Sequence, residues 1–213
     1  MIVKSITNTD LFKIIDEDTK EIFYGCNQEW YGTDWQRRAG CGPCVASNII
    51  FYLNNEGHIL DPVQNGTSKK SWLSLMEEAW ENVTPTQDGI PETKMFYELV
   101  SVYTKLKGLK VDYKFCDLPK DNYLRPTFSE ILEFLEGGLT NEVPIAFLNL
   151  SNGEEVNLEP WHWVTIVSLE YLEDGRNAFI KILDEGLVKK INLRLWYHTT
   201  TLGGGFVYFI VTK

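Results

Sequence analysis

Apolar residues follow two rhythms along this chain, and the change between them separates its two halves. In "PCVASNIIFYLNN", residues 43–55, they fall nearly all round a helical wheel, the pattern of a helix buried on every side. Pro43 suits a first helical position and Gly57 lies just past the end, so a helix is expected to begin at Pro43. "SKKSWLSLMEEAWENV" and "PETKMFYELVSVYTKLKG" place apolar residues at three- and four-residue steps, as helices with one buried face do. "TFSEILEFLEGG" opens with a capping box, Thr127 answered by Glu130, and is expected to stop at Gly137.

Past residue 140 the rhythm shortens. "EVPIAFLNL", "WVTIVSLEYL", "NAFIKIL", "LVKKINLRLW" and "GFVYFIVT" are β-rich runs separated by turn residues. Helices first and strands afterwards predict an α+β fold with an antiparallel sheet in the C-terminal half. The first forty residues mix short β-like runs such as "EIFYG" with turn-rich sequence, and "YGTDWQRRAG" reads as loop. The 213 residues suit one domain of two lobes, helical over about 1–125 and β over about 126–213, with Pro126 at the seam.

Composition narrows the function. With 44% hydrophobic and 13% aromatic residues there is ample material for a core, and the net charge of −10 is scattered, which argues against a nucleic-acid partner. No stretch approaches the ~20 apolar residues that span a bilayer. The N-terminus lacks the apolar run of a signal peptide, so a soluble, cytoplasmic protein is expected, without a membrane partner. Cys26 and Cys116 read as ordinary buried thiols. One Cys-x-x-Cys without a second ligand pair, beside only His58, His162 and His198, gives no metal site. "TLGGGFVYFI" lacks the helix and Lys of a phosphate loop and reads as a tight turn into the last strand, so no cofactor is implied.

The chemistry centres on "GCGPC", residues 40–44. Cys41 and Cys44 could form the dithiol of a thiol–disulfide oxidoreductase, but that needs a hydrophobic strand running into the motif, and Gly32, Asp34, Arg37 and Arg38 stand there instead. Cys41 alone could be a nucleophile. At the mouth of the buried helix it meets partial positive charge that favours the thiolate, and its own N–H is free to help bind an oxyanion. Gly40 and Gly42 are expected to leave room for a substrate carbonyl, and Cys44 to point into packing.

A base is supplied by His162, at the head of a β-run between Trp161 and Trp163; His58 sits in a polar turn and His198 at the end of a strand. Glu173-Asp174-Gly175 suits a three-residue hairpin loop with Gly175 left-handed. That register sets Asp184 opposite Val164, on the face of His162 and one diagonal step away, placed to fix the imidazole tautomer. Glu185 is the nearest substitute, and a two-residue turn would send Asp184 to the other face. An oxyanion-binding amide could come from Gln36, five residues before Cys41, or Gln28, thirteen before.

A Gln, then "GCGP" opening a buried helix, then "HWV" on a strand, then Asp ending the next strand: this order resembles the papain-like cysteine peptidases. Within them it is most similar to the bacteriocin-processing, double-glycine leader peptidases and their stand-alone relatives, which share a Cys-Gly-Pro helix start. The resemblance implies Cys41 as nucleophile, His162 as base and then acid, Asp184 as its orienting partner and a Gln in the oxyanion hole. The family's Gln precedes its Cys by six residues, which matches neither Gln36 nor Gln28. The expected activity is that of a cysteine peptidase or amide hydrolase working through a thioester on a peptide or small amide. A cysteine-dependent acyltransferase, the Cys41/Cys44 oxidoreductase and a non-catalytic binding domain are the alternatives. The tryptophans of "WYGTDW" and "PWHW" suit either an aromatic substrate cleft or core packing.

Overall fold

The computed structural model of the chain describes residues 1–56, 68–172 and 175–212, so Gly57 and His58 lie outside the described residues. Its elements run β1 (Ile2–Ser5), β2 (Lys13–Ile15), β3 (Ile22–Tyr24), α1 (Asp34–Ala39), α2 (Cys41–Glu56), α3 (Lys69–Asn82), α4 (Thr93–Leu106), β4 (Val111–Leu118), α5 (Phe128–Thr140), β5 (Ile145–Asn149), β6 (His162–Tyr171), β7 (Ala178–Asp184), β8 (Leu187–Asn192), α6 (Leu193–Thr199) and β9 (Gly204–Val211). Helix α2 is the centre of the packing. Val45, Ala46, Ile49 and Ile50 are all at most 2% exposed, because β5 and β6 cover one side of the helix and α3 and α4 another. A helix enclosed this way must be apolar round its whole circumference.

The large sheet has the order β4-β9-β5-β6-β7-β8, all neighbours antiparallel, and β1 pairs with the far end of β6. Two of its strands, β1 and β4, therefore come from the first 125 residues. Strand β4 is an edge strand in which Val111, Tyr113 and Phe115 alternate with Asp112 and Lys114, a strand period that follows directly on the helical runs. Among the described residues, no helix is long and apolar enough to cross a membrane.

Several boundaries differ from expectation for local reasons. "YGTDWQRRAG" is not all loop: Thr33 and Gln36 form a capping box that starts α1. Helix α2 starts at Cys41, with Cys44 N–H donating to Gly40 O at 2.9 Å. Pro43 is tolerated inside the first turn because its missing N–H has no helical acceptor there. Helix α5 runs on to Thr140, and a Cβ at Gly138 would lie 2.8 Å from Ile145 Cδ1. That glycine lets the helix approach the sheet and does not end it. The run "LVKKINLRLW" divides at Asn192, whose side chain accepts from Leu195 N–H and starts α6. His198 is thus helical.

The hairpin β6–β7 reaches its register by an unexpected route. Leu172 N–H donates to Asn177 O at 3.0 Å, so residues 173–176 lie between the two partners; a three-residue loop is ruled out. Glu173 and Asp174 lie outside the described residues, while Gly175 is left-handed at φ 64. An even count alone would turn Asp184 to the opposite face from His162. A β-bulge between Ile166 and Ser168 absorbs one residue, and beyond it Thr165 faces Leu183. The next step along that register sets Asp184 against Val164.

Candidate active site

The site is assembled where the mouth of α2 meets the head of β6. Helix α1 ends at Gly40, where a Cβ would sit 2.4 Å from Gln36 O and 2.7 Å from the Tyr31 ring. A Cβ at Gly42 would lie 2.7 Å from Ile90 Cδ1. The two glycines flanking Cys41 thus let Tyr31 and Ile90 pack close against the helix mouth. With both close approaches allowed, α2 begins at Cys41, and the free N–H groups of its first turn surround the sulfur with partial positive charge.

His162 opens β6, paired with Asn149 of β5, and is 7% exposed. Asn149 Nδ2 donates to Glu159 O at 2.6 Å, which ties down the segment leading to the histidine. His162 Nε2 lies 2.7 Å from Asp184 Oδ1. An ionised carboxylate can only accept, so Nε2 carries the proton, and the imidazole lines one small pocket with Cys41. Burial alone would raise the Cys41 thiol, but the neighbouring His162 and its positive charge, with backbone N–H groups of Trp163 and Gly42, bring it below its ordinary value. Burial would likewise lower His162; Asp184 and the sulfur outweigh it and lift the imidazole to about 10. Asp184 is held below the usual carboxylate range: burial opposes ionisation, and His162 and then Lys189 overcome it. Together these directions run toward a charged sulfur, ring and carboxylate.

Lys189 was not anticipated. Its Nζ donates to Asp184 Oδ2 at 2.7 Å and to Glu185 Oε2 at 2.8 Å. The signal was in the sequence: Glu185 and Gly186, at φ 52 and 76, make a two-residue turn that pairs Asp184 with Leu187 and Lys189 with Ile182. Lys189 therefore stands one diagonal step from Asp184 on the same face. The turn is held from outside by Asn27, whose Nδ2 donates to Glu185 O at 3.0 Å, and by Tyr24 N–H, which donates to Gly186 O at 2.7 Å.

Asn27 also caps a short 3-10 helix, Gln28–Trp30, and so delivers Gln28 to the site. Gln28 lines a small pocket with Cys41, His162 and Asp184, and its Oε1 is buried without a hydrogen-bond partner among the described residues. Gln36 is elsewhere. Its Oε1 accepts from Thr33, and its Nε2 donates to Glu77 Oε2 at 2.6 Å, so its amide is spent on holding α1. The structure thus gathers Cys41, His162, Asp184 and Gln28 and leaves Gln36 out, because the six residues from Asp34 to Ala39 are wound into a helix between Gln28 and Cys41.

The remaining expectations sort by position. Cys44 is buried beside Cys26 and Tyr31; burial and the Cys26 thiol push it well above its ordinary value, opposite to Cys41. The element leading into Cys41 is a helix, not the strand an oxidoreductase needs. Cys116 is raised to about 11 by burial, and His198 is packed near Phe128 and Tyr197 on α6, lowered by burial and Arg194. Among the described residues no group of three His, Cys, Asp or Glu side chains could hold a metal ion. The tryptophans divide. Trp163 stacks on Phe96 and donates its indole N–H to Ile90 O at 2.7 Å, whereas Trp35 and Trp161 are 40% and 61% exposed; all three line an open cleft that takes in Cys41.

No family model matches this sequence, and no curated protein matches it. Among solved structures it is similar to the crystal structure of UfSP from C. elegans, at a TM-score of 0.57 and 10% identity, over 100% of this chain. The chain spans 35% of the length of that neighbour. The fold is the α+β fold of the papain-like cysteine proteinases, with the helix α2 buried between a helical layer and the antiparallel sheet.

Proposed function

We propose that this protein is a cysteine peptidase or amide hydrolase that works through Cys41, His162 and Asp184. The observation that supports the reading is the gathering of Cys41, His162 and Asp184 round one small pocket, with the imidazole bonded to the carboxylate, the thiol shifted down and the imidazole shifted up. The Cys41 thiolate attacks a carbonyl carbon, and the developing oxyanion accepts hydrogen bonds from the Cys41 N–H at the helix mouth and the Gln28 side-chain amide. His162 gives its Nδ1 proton to the leaving amine, which departs and leaves a thioester. The now neutral imidazole takes a proton from water, whose oxygen attacks the thioester and releases acid and thiolate. Asp184 keeps the Nε2 proton throughout and so holds the tautomer.

The substrate is a peptide lying in the cleft that leads to Cys41, with an apolar side chain against Trp35, Trp161 and Leu148. The finer resemblance, carried by "GCGP" and "HWV", makes a peptide with a double-glycine leader the first substrate to assay. Iodoacetamide labelling with peptide mapping across pH tests the nucleophile. Preferential alkylation of Cys41 at a pH well below the ~8.5 of a free thiol is expected. Equal, slow labelling of all four cysteines would overturn the reading.

A further inference from the structure

We infer that Lys189 is a positioning residue of the proposed reaction: by holding Asp184 Oδ2 it aims Oδ1 at His162, and its charge limits how strongly Asp184 retains the imidazolium proton. The inference rests on the reading just given. Asp184 has two oxygens and two partners, His162 Nε2 at 2.7 Å on one and Lys189 Nζ at 2.7 Å on the other, so the carboxylate plane is fixed from both ends. Its side chain is 3% exposed, and water does not replace either contact. Lys189 is itself braced by Glu185 Oε2 at 2.8 Å. Although burial opposes its charge, Asp184 and Glu185 raise it, so it stays an ammonium across the working range.

The result is a string of alternating charge: thiolate, imidazolium, carboxylate, ammonium, carboxylate. The titratable groups facing it are Cys41 and Cys44 from α2, Cys26 from the segment before the 3-10 helix, His162 from β6, Asp184 from β7 and Glu185 from the turn; Gln28 and Asn48 are neutral. A carboxylate shared between two cations pulls less on each. Without the ammonium, Asp184 would bind the imidazolium more tightly and slow its delivery of a proton to the leaving amine.

The test separates charge from support. Removing one positive charge raises the pKa of every nearby acid, the thiol and the imidazolium alike. Lys189→Met is therefore expected to move both limbs of the kcat/KM profile toward higher pH, by about half to one unit for a charge one carboxylate away, and to lower kcat. Lys189→Arg is expected to return the profile toward its original position. A support-only role predicts the opposite sign: with Asp184 released, the imidazolium loses its counter-charge and the alkaline limb falls, as Asp184→Asn makes it fall. That result, or an unmoved profile, overturns the inference. The pH dependence of Cys41 alkylation by iodoacetamide gives the same readout for the thiol without a substrate, and Lys189→Gln serves if the Met variant does not fold. If Cys41→Ala retains activity, the proposed function itself falls; if wild type is active and the Lys189→Met profile stays put, only the role of Lys189 does.

Discussion

Two thiols three residues apart on one helix sit in opposite electrostatic worlds. In the first turn of α2, burial opposes the ionisation of Cys41, but His162 and backbone N–H groups shift its thiol down. Cys44, one turn deeper, is shifted up by burial and by the Cys26 thiol. Both are cysteines of the same motif and both line the same small pocket. What separates them is which way a single helical turn points them. Reactivity here belongs to the position, and a Cys-x-x-Cys spacing says nothing about it until the partner of each sulfur is known.

The largest break in this comparison comes from exchanging the two thiols' fates. Cys41→Ala is expected to lose at least about 10⁴-fold in kcat/KM, while Cys44→Ser stays within a few fold of wild type in the same peptide assay. Equal losses would restore the dithiol reading. Next comes the charge that makes Cys41 different. Asp184→Asn is expected to cost about 10²–10⁴-fold in kcat. It removes one of the groups that lift His162 to about 10, so the alkaline limb of the pH–rate profile moves to lower pH. Gln28→Ala, at the mouth, is expected to cost about 10²–10³-fold in kcat with little change in KM, as loss of an oxyanion donor does. The smallest effect sharpens the contrast between mouth and scaffold. Gln36→Ala leaves kcat unchanged and lowers stability by about 1 kcal/mol through the lost helix cap, read as a reduced midpoint in urea unfolding.

The fold was legible wherever one rhythm persisted. The buried α2, the half-buried α3 and α4, and the sheet runs β5, β6, β7 and β9 each repeat a period long enough to recognise. What escaped was short or out of place. Helix α1 has six residues, too few for a period, and only its Thr33–Gln36 box marked it. Strand β4 does alternate, Val111, Tyr113 and Phe115 against Asp112 and Lys114, and escaped because it lies among the helices of the first half. At the site, the sequence order of Cys41, His162 and Asp184 suggested one constellation, because each stands at the end of a regular element where register can be counted. Gln36 was favoured over Gln28 on distance along the chain, and a compact helix makes that distance misleading. Lys189 was overlooked although the Glu185-Gly186 turn fixes its register, since a lysine on an exposed strand reads as surface charge.

The irregularity between Ile166 and Ser168 carries a lesson for anyone redesigning this hairpin. An odd residue in the strand and an even connection at its tip cancel, and only their sum turns the carboxylate inward. Straightening the ladder with Val167 kept in it would set Asp184 against Thr165 and turn the carboxylate out the wrong side. Deleting Val167 outright would straighten it too, but with Thr165 still against Leu183 and the carboxylate still facing in.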